Sequence, residues 1–238
     1  MKQKTLREDA HLREAEIGRR RPRSVRECAL AHSFDRKVGK KMERIHVKVP
    51  GEQPQDREYM KQALALAEKG QGWVNPNPMV GAVLVKDGRI IGEGYHTRYG
   101  QLHAEREAFK NAAERGEETA GADLYVTLEP CCHTGKQPPC TEAVLASGVK
   151  RVIVGCTDPN PVVAGRGIRL LREKGLEVVV GVLRGECERQ NEVFFHFMRT
   201  KLPFTVLKYA MTLDGKTATV SGKSQWITGE AARKRGHE

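Results

Sequence analysis

The sequence has few aromatic residues and no long apolar run. Phe, Trp and Tyr make up 5% of its 238 residues, and no stretch approaches the ~18 apolar residues that a membrane-spanning helix needs. No apolar segment typical of a secretory signal peptide follows the N-terminal residues. We therefore expect a cytoplasmic protein with no membrane partner, in which the six cysteines stay reduced. In such a compartment, clustered cysteines more often bind metal or take part in chemistry than form disulfides.

The excess positive charge is concentrated near the N-terminus. The net charge is +11, and residues 1–49, with 15 Lys or Arg against 7 Asp or Glu, contribute +8 of it. Dense charge and low hydrophobicity predict that residues 1–53 form a disordered basic extension. A start codon assigned too early would also explain this segment, whereas its early acidic residues do not fit a transit peptide. The other residues are nearly neutral in sum, which does not favour a nucleic-acid partner.

Regular hydrophobic patterns begin at Asp56, which can cap the first helix. Asp87-Gly88 is typical of a tight hairpin turn. Strands that alternate with helices predict an α/β fold with helices on both faces of the sheet, mixed because the sheet opens with a hairpin. The predicted helices are 56–70, 102–115, 141–148, 165–174 and 186–199, and the predicted strands are 79–85, 89–94, 123–128, 150–156, 176–182 and 204–209. Because 35 residues follow Pro203, too few for another α/β domain, we expect a domain that begins there to be truncated.

One imidazole and two thiols form a candidate metal site. His103, Cys131 and Cys140 are the soft or borderline ligands that suit zinc, and three protein ligands leave a fourth position for water, as in catalytic zinc sites. Glu105 is placed to transfer the proton of that water to a leaving group. His-x-Glu followed by Pro-Cys fits the signature of zinc nucleobase deaminases, except that the second cysteine lies nine positions after the first and not three.

Other interpretations of these residues stay open at this point. Cys132 and His133 are rival metal ligands because they adjoin Cys131. A Cys131–Cys140 disulfide would require export. The other cysteines, Cys28, Cys156 and Cys187, are expected to be inert, the last two as small apolar residues of a strand and a helix.

Several motifs together resemble the bifunctional deaminase–reductase family of riboflavin biosynthesis. They are NPNPMVGAV (75–83), HAE (103–105), EPCCHTGKQPPC (129–140), TDPNP (157–161), VAGRG (163–167), LKYAMTLDGKT (207–217) and SGKSQWITG (221–229). The resemblance covers about residue 56 to the C-terminus. It implies a cytidine-deaminase-like zinc deaminase domain at 54–200 and the truncated start of a reductase domain at 201–238. The implied reaction is hydrolysis of the amino group of 2,5-diamino-6-(5-phospho-ribosylamino)pyrimidin-4-one, which releases ammonia.

The resemblance also implies roles for individual residues. His103, Cys131 and Cys140 would hold one zinc ion per chain, and Glu105 would donate and shuttle the proton. The residues that would contact the substrate of the deaminase are Asn75, His96, His133 and Lys136, the last of these at the 5-phosphate. In the reductase part, Ala210 and Trp226 would contact NADP(H) and Ser224 the substrate, but only in a complete domain, so we predict no reductase activity. One departure from the family is Cys132, where Ser is usual.

Two other functions remain as alternatives. An RNA-editing deaminase could use the basic extension to bind phosphates. A non-catalytic zinc- or RNA-binding module would not depend on Glu105. The family also suggests assembly into a homo-oligomer.

Overall fold

A five-stranded mixed sheet lies at the centre of the computed structural model, which describes residues 49–237. The strands are β1 (Gly81–Lys86), β2 (Arg89–Tyr95), β3 (Asp123–Leu128), β4 (Arg151–Cys156) and β5 (Glu177–Val180), in the order β2-β1-β3-β4-β5. β1 is antiparallel to β2 and β3, whereas β3, β4 and β5 are parallel. Most of the predicted basic extension at 1–53 lies outside the described residues.

Helices cover both faces of this sheet. They are α1 (Asp56–Glu68), α2 (Ala104–Glu114), α3 (Cys140–Ala146), α4 (Arg166–Glu173), α5 (Arg184–Gln190) and α6 (Glu192–Thr200). A further helix, α7 (Glu230–Arg235), buries none of its residues. Alternate residues of the central strands pack on opposite faces, as the two-residue period of a strand requires. Leu124 and Val152 belong to the core under α2, α3 and α4, whereas Tyr125 and Ile153 belong to the core under α1, α5 and α6. The predicted mixed α/β fold is therefore confirmed. None of the helices in the described part of the chain is long and apolar enough to cross a membrane.

Two local features shape the β1–β2 hairpin and the packing of α2 against it. Asp87 and Gly88 have φ angles of 53° and 75°, which is the backbone of the tight turn that the sequence predicts between β1 and β2. A Cβ on Gly94 would lie 2.3 Å from the Ala104 carbonyl oxygen. The absence of a side chain at Gly94 thus lets the first turn of α2 lie directly against β2.

The predicted helix at 186–199 is wrong in one respect, because it is two helices that meet at Asn191. The backbone of Asn191 leaves the helical conformation, with φ −115° and ψ 27°. Its side-chain amide accepts a hydrogen bond from Met79 N–H and donates one to the Met79 carbonyl, each at 2.8 Å. These bonds join the start of α6 to the segment before β1.

The strand predicted at 204–209 is also wrong. Residues 203–211 form no regular element, and Val206, Leu207 and Tyr209 are exposed. An isolated run of β-forming residues cannot make a strand without a neighbouring strand to share its hydrogen bonds, and none pairs with it among residues 49–237. The sequence patterns also did not indicate α7.

A buried ion pair joins α1 to the sheet. Asp56 does not cap α1 as predicted but is its first residue, and it accepts hydrogen bonds from the Tyr125 hydroxyl at 2.9 Å and from Arg151 Nη1 at 3.1 Å. Arg151 Nη2 contacts the second carboxylate oxygen of Asp56 and also donates to the Gly51 carbonyl. Both partners of the pair are at most 2% exposed. The N-terminal helix is therefore fixed to β3 and β4 by charge as well as by apolar packing.

We predict that Asp56→Ala lowers the free energy of unfolding by about 3 kcal/mol, because it leaves a buried guanidinium short of its main partner. Urea denaturation followed by circular dichroism measures this change. The exposed ion pair of Arg184 with Glu188 provides the control, and Arg184→Ala should cost less than about 1 kcal/mol. Equal losses for the two variants would contradict the assigned role of Asp56.

Candidate active site

Three ligand side chains converge beyond the carboxyl end of β3. His103 immediately precedes α2, Cys131 follows β3, and Cys140 is the first residue of α3. His103 Nδ1 lies 3.5 Å from Cys131 Sγ and 3.3 Å from Cys140 Sγ. The three ligand atoms all lie within 4.8 Å of one another. They are close enough to share a single metal ion, and Cys132 and His133 do not belong to this cluster.

Backbone contacts close the nine-residue interval between the two cysteines. The Cys140 N–H donates to Cys131 Sγ at 3.3 Å, and the Thr141 N–H donates to the Cys131 carbonyl at 3.1 Å. Arg106 of α2 donates to the Pro139 carbonyl at 2.9 Å. The first turn of α3 therefore faces Cys131, and α2 holds the end of the intervening loop.

The electrostatics of the cluster favour a metal-binding thiolate. The pKa of the Cys131 thiol is lowered by hydrogen bonds from Cys140 and from His103, against the opposing effect of burial. The pKa of His103 is raised, chiefly by its hydrogen bond with Cys131. Thiolate is the form of cysteine that binds metal. Two sulfurs and one imidazole nitrogen make a donor set that fits zinc.

Glu105 lies next to the cluster, in the first turn of α2. It is 4% exposed and borders the cavity described below. Burial raises the pKa of its carboxyl group, and the negative charge of Cys131 raises it further. A raised pKa makes this carboxyl group better able to hold a proton that it has taken up.

A cavity of about 480 Å³ opens in front of these groups. This volume is in the range of small-molecule sites. Its walls come from segments that are far apart in the sequence: 76–80, 96–105, 128–137, 158–160 and 194–198. Polar side chains of the loops thus face Phe194, Phe197 and Met198 of α6 across the cavity.

His96 is a buried, neutral member of the wall. Its Nδ1 donates to the Leu102 carbonyl at 2.9 Å, because a carbonyl can only accept, and this leaves Nε2 as an acceptor. The side-chain N–H of Asn77 donates to that Nε2 at 3.1 Å. Burial lowers the pKa of His96, which favours the same neutral form. His96 therefore fixes the orientation of the Asn77 amide.

The asparagine predicted to contact the substrate is not in the cavity. Asn75 is exposed and does not line the cavity, whereas Asn77 does. The Asn77 N–H donates to the Val74 carbonyl at 2.8 Å. This bond closes a turn that leaves Asn75 at an outer corner and directs Asn77 inward. Both asparagines belong to the same motif, and the turn determines which of them lines the cavity.

The other predicted site residues divide into two groups. His133 and Lys136 line the cavity, and Lys136 Nζ lies 4.1 Å from the centre of the Tyr99 ring. Ala210, Ser224 and Trp226 do not line it. Trp226 is 72% exposed, with the Arg233 guanidinium over its ring. The roles of these three residues stay predictions.

Sequence reasoning missed two polar residues of the wall, Asp158 and Asn160. They follow β4, and the Asn160 N–H donates to an oxygen of Asp158 at 2.8 Å. Burial, the main cause, raises the pKa of Asp158 to about 6. In the sequence, the TDPNP motif carries only a family resemblance and no assigned role. Its position after a strand parallel to β3 is the signal that could have placed it at the same edge, because ligands of open α/β sheets bind beyond the carboxyl ends of the strands.

Two family models match the chain. The cytidine and deoxycytidylate deaminase zinc-binding region matches residues 53–156, and the RibD C-terminal domain matches residues 203–238. The first match contains the whole His103, Cys131 and Cys140 cluster together with Glu105. The second match contains residues 203–211, which form no regular element, and also helix α7.

Individual relatives agree with these matches. The riboflavin biosynthesis protein RibD of Actinobacillus pleuropneumoniae is 54% identical over 180 residues, which cover 76% of this chain and 47% of the relative. RibD of Aquifex aeolicus is 52% identical over 182 residues, which cover 76% of this chain and 50% of the relative. A solved diaminohydroxyphosphoribosylaminopyrimidine deaminase/5-amino-6-(5-phosphoribosylamino)uracil reductase from Thermotoga maritima has 51% identity and a TM-score of 0.72, and covers 76% of this chain and 52% of that one. The chain thus spans about half the length of these relatives.

We predict one zinc ion per chain, which Cys131→Ser and Cys140→Ser should each remove, because a site with two protein ligands holds zinc much more weakly. Metal analysis by plasma mass spectrometry after dialysis measures the content. Cys132→Ser is the matched control and should keep the zinc ion. Loss of zinc in the control but not in Cys140→Ser would refute this set of ligands.

Proposed function

Because the chain belongs to the RibD family of riboflavin biosynthesis proteins, we propose that residues 54–200 are a zinc-dependent deaminase. Its substrate is 2,5-diamino-6-(5-phospho-ribosylamino)pyrimidin-4-one, and its products are the corresponding uracil and ammonia. One observation carries the proposal: the His103, Cys131 and Cys140 cluster and the buried carboxyl group of Glu105 border a single cavity of small-molecule size. The similarity to the Thermotoga maritima diaminohydroxyphosphoribosylaminopyrimidine deaminase supports the choice of substrate.

The metal cluster supplies the first part of the chemistry. His103, Cys131 and Cys140 would hold zinc, which when bound acts as a Lewis acid and makes a water molecule more acidic. The chain itself contributes two thiols and one imidazole, so that thiolate charge would offset the charge of the ion. The buried position of Cys140, at 0% exposed, keeps this side of the cluster away from bulk solvent.

Glu105 supplies the second part. Its carboxylate accepts a proton from the attacking water, and its raised pKa lets the carboxyl group hold that proton. It then donates the proton to the amino nitrogen of the substrate, and that nitrogen leaves as ammonia. Transfer of this kind by a positioned side chain is worth roughly 10²–10⁴ in rate.

The cavity wall supplies the recognition of the substrate. The Asn77 amide, oriented by His96, offers a donor and an acceptor to the polar edge of the pyrimidine. Lys136 suits the 5-phosphate as a point charge, and His133 lies on the same loop. We assign the hydroxyl groups of the ribose to Asp158 and Asn160, which line the same cavity. Phe194 and Phe197 offer an apolar surface to the flat ring.

The remaining assignments of the chain follow from the family. Residues 201–238 correspond to the start of the reductase part, in which Ala210 and Trp226 would contact NADP(H) and Ser224 the substrate of a complete domain. We assign no reductase site to residues 49–237. Assembly into a homo-oligomer is proposed on the same basis.

We predict that Glu105→Gln lowers the rate of ammonia release about 100-fold or more while one zinc ion stays bound, because glutamine cannot take up the proton. A coupled glutamate dehydrogenase assay with the pyrimidine phosphate measures the rate. Glu114→Gln, an exposed residue on the same helix, should have normal activity. If the unaltered chain releases no ammonia from this substrate but forms inosine in tRNA, it is an RNA-editing enzyme; if it does neither and binds zinc, it is a binding module.

We also predict that Asn77→Ala raises KM about 10-fold or more, because it removes the proposed hydrogen-bond partner of the pyrimidine. Asn75→Ala is the matched control, with the same change two residues away, and should leave KM within twofold. Steady-state kinetics of ammonia release compares the two variants. A large effect of Asn75→Ala together with none of Asn77→Ala would reverse the assignment.

A further inference from the structure

The carboxylate of Glu129 bonds entirely to backbone groups of another segment. It is 3% exposed. Oε2 accepts from the N–H groups of Asp158 at 3.2 Å and Gly165 at 2.9 Å. Oε1 accepts from the N–H groups of Gly167 at 3.0 Å and Ile168 at 3.3 Å. One side chain thus receives four hydrogen bonds from the stretch that connects β4 to the first turn of α4.

This arrangement compensates for the open end of α4. The first N–H groups of a helix have no partner within the helix, and their partial positive charge favours a carboxylate. Hydrogen bonds to a charged acceptor are about twice as strong as neutral ones. Glu129 therefore holds the loop after β4 and the start of α4 in one fixed arrangement.

The same segment lies against the residue that precedes a metal ligand. A Cβ on Gly167 would lie 2.2 Å from the Pro130 carbonyl oxygen, so only glycine lets α4 come this close. Pro130 is followed directly by Cys131 of the metal cluster. The Glu129 N–H donates to the Cys156 carbonyl at 2.9 Å, which joins the ends of β3 and β4. Two independent contacts, the carboxylate and the close approach of Gly167, thus couple the two sides of the cavity.

We propose that Glu129 is a positioning residue that sets the distance between the metal centre at Cys131 and the substrate-binding side chains of Asp158 and Asn160. Glu129 acts through the backbone and needs no contact with the substrate, since both of its carboxylate oxygens already bond to N–H groups. This inference rests on the proposed deaminase function. It predicts that a change at Glu129 affects substrate binding more than metal binding or proton transfer.

Glu129→Gln tests the inference, because it replaces one acceptor oxygen by an amide nitrogen that faces two N–H donors. We expect KM for the pyrimidine phosphate to rise about 10-fold, kcat to stay within about threefold, and the zinc content to stay at one ion per chain. Asp56→Asn is the matched control, a buried carboxylate of the fold that lies outside the cavity. It should lower the melting temperature and leave KM unchanged.

A double-mutant cycle separates positioning from a general loss of stability. If Glu129 acts through Asp158 and its loop, Glu129→Gln should raise KM little further in a chain that already carries Asp158→Ala. Independent, multiplicative effects on KM would overturn the proposal, and so would a rise in KM of equal size in Asp56→Asn. Should Glu129→Gln fold poorly, Gly167→Ala displaces α4 without a change of charge, and the same rise in KM is expected.

Amide hydrogen exchange keeps the test independent of activity. The N–H groups of Gly165, Gly167 and Ile168 should exchange slowly in the zinc-loaded chain and much faster in zinc-loaded Glu129→Gln. Unchanged exchange would overturn the positioning role even in an active enzyme. If the unaltered chain releases no ammonia while these amides respond as expected, the proposed reaction fails and the structural role of Glu129 stands.

Discussion

The close approach of one imidazole nitrogen to two thiol sulfurs is the contact on which the rest of the site depends. His103, Cys131 and Cys140 come from three separate segments, and each is placed by a different part of the fold. The sheet edge brings α2 close through Gly94, the end of β3 places Cys131, and the backbone of Cys140 bonds to the Cys131 sulfur. Because α2 begins directly after His103, the same contact also places Glu105 beside the cluster.

The walls of the cavity are fixed by polar side chains that bond to the backbone of other elements. Asn191 breaks the last long helix and bonds to Met79, so that α6 passes in front of the cavity. Glu129 does the same for the loop after β4, and His96 holds the amide of Asn77. The cavity is thus assembled from short loops on a rigid sheet. Loops of this kind let one fold carry different sets of side chains around its cavity.

Sequence reasoning predicted the parts of this structure that depend on local pattern. Hydrophobic periods indicated all five strands of the sheet, and Asp87-Gly88 indicated the hairpin, because these signals lie within a few residues. The residue types of His103, Cys131 and Cys140 pointed to one metal site, because one imidazole and two thiols are ligands that suit zinc. The break at Asn191 and the position of Asn77 in the cavity wall were not predicted, since each depends on a hydrogen bond that only the folded chain makes. The segment 204–209 has strand-forming residues but no partner strand in the described part of the chain, and pattern alone could not show this.

The central claim is that one zinc ion is held by one nitrogen and two sulfurs, with a position left for a small ligand. X-ray absorption at the zinc edge measures that set of atoms directly on the protein in solution. The account predicts two sulfur atoms at about 2.3 Å, one imidazole nitrogen at about 2.0–2.1 Å, and one further light atom. A shell of four sulfurs, or of nitrogen and oxygen alone, would contradict it.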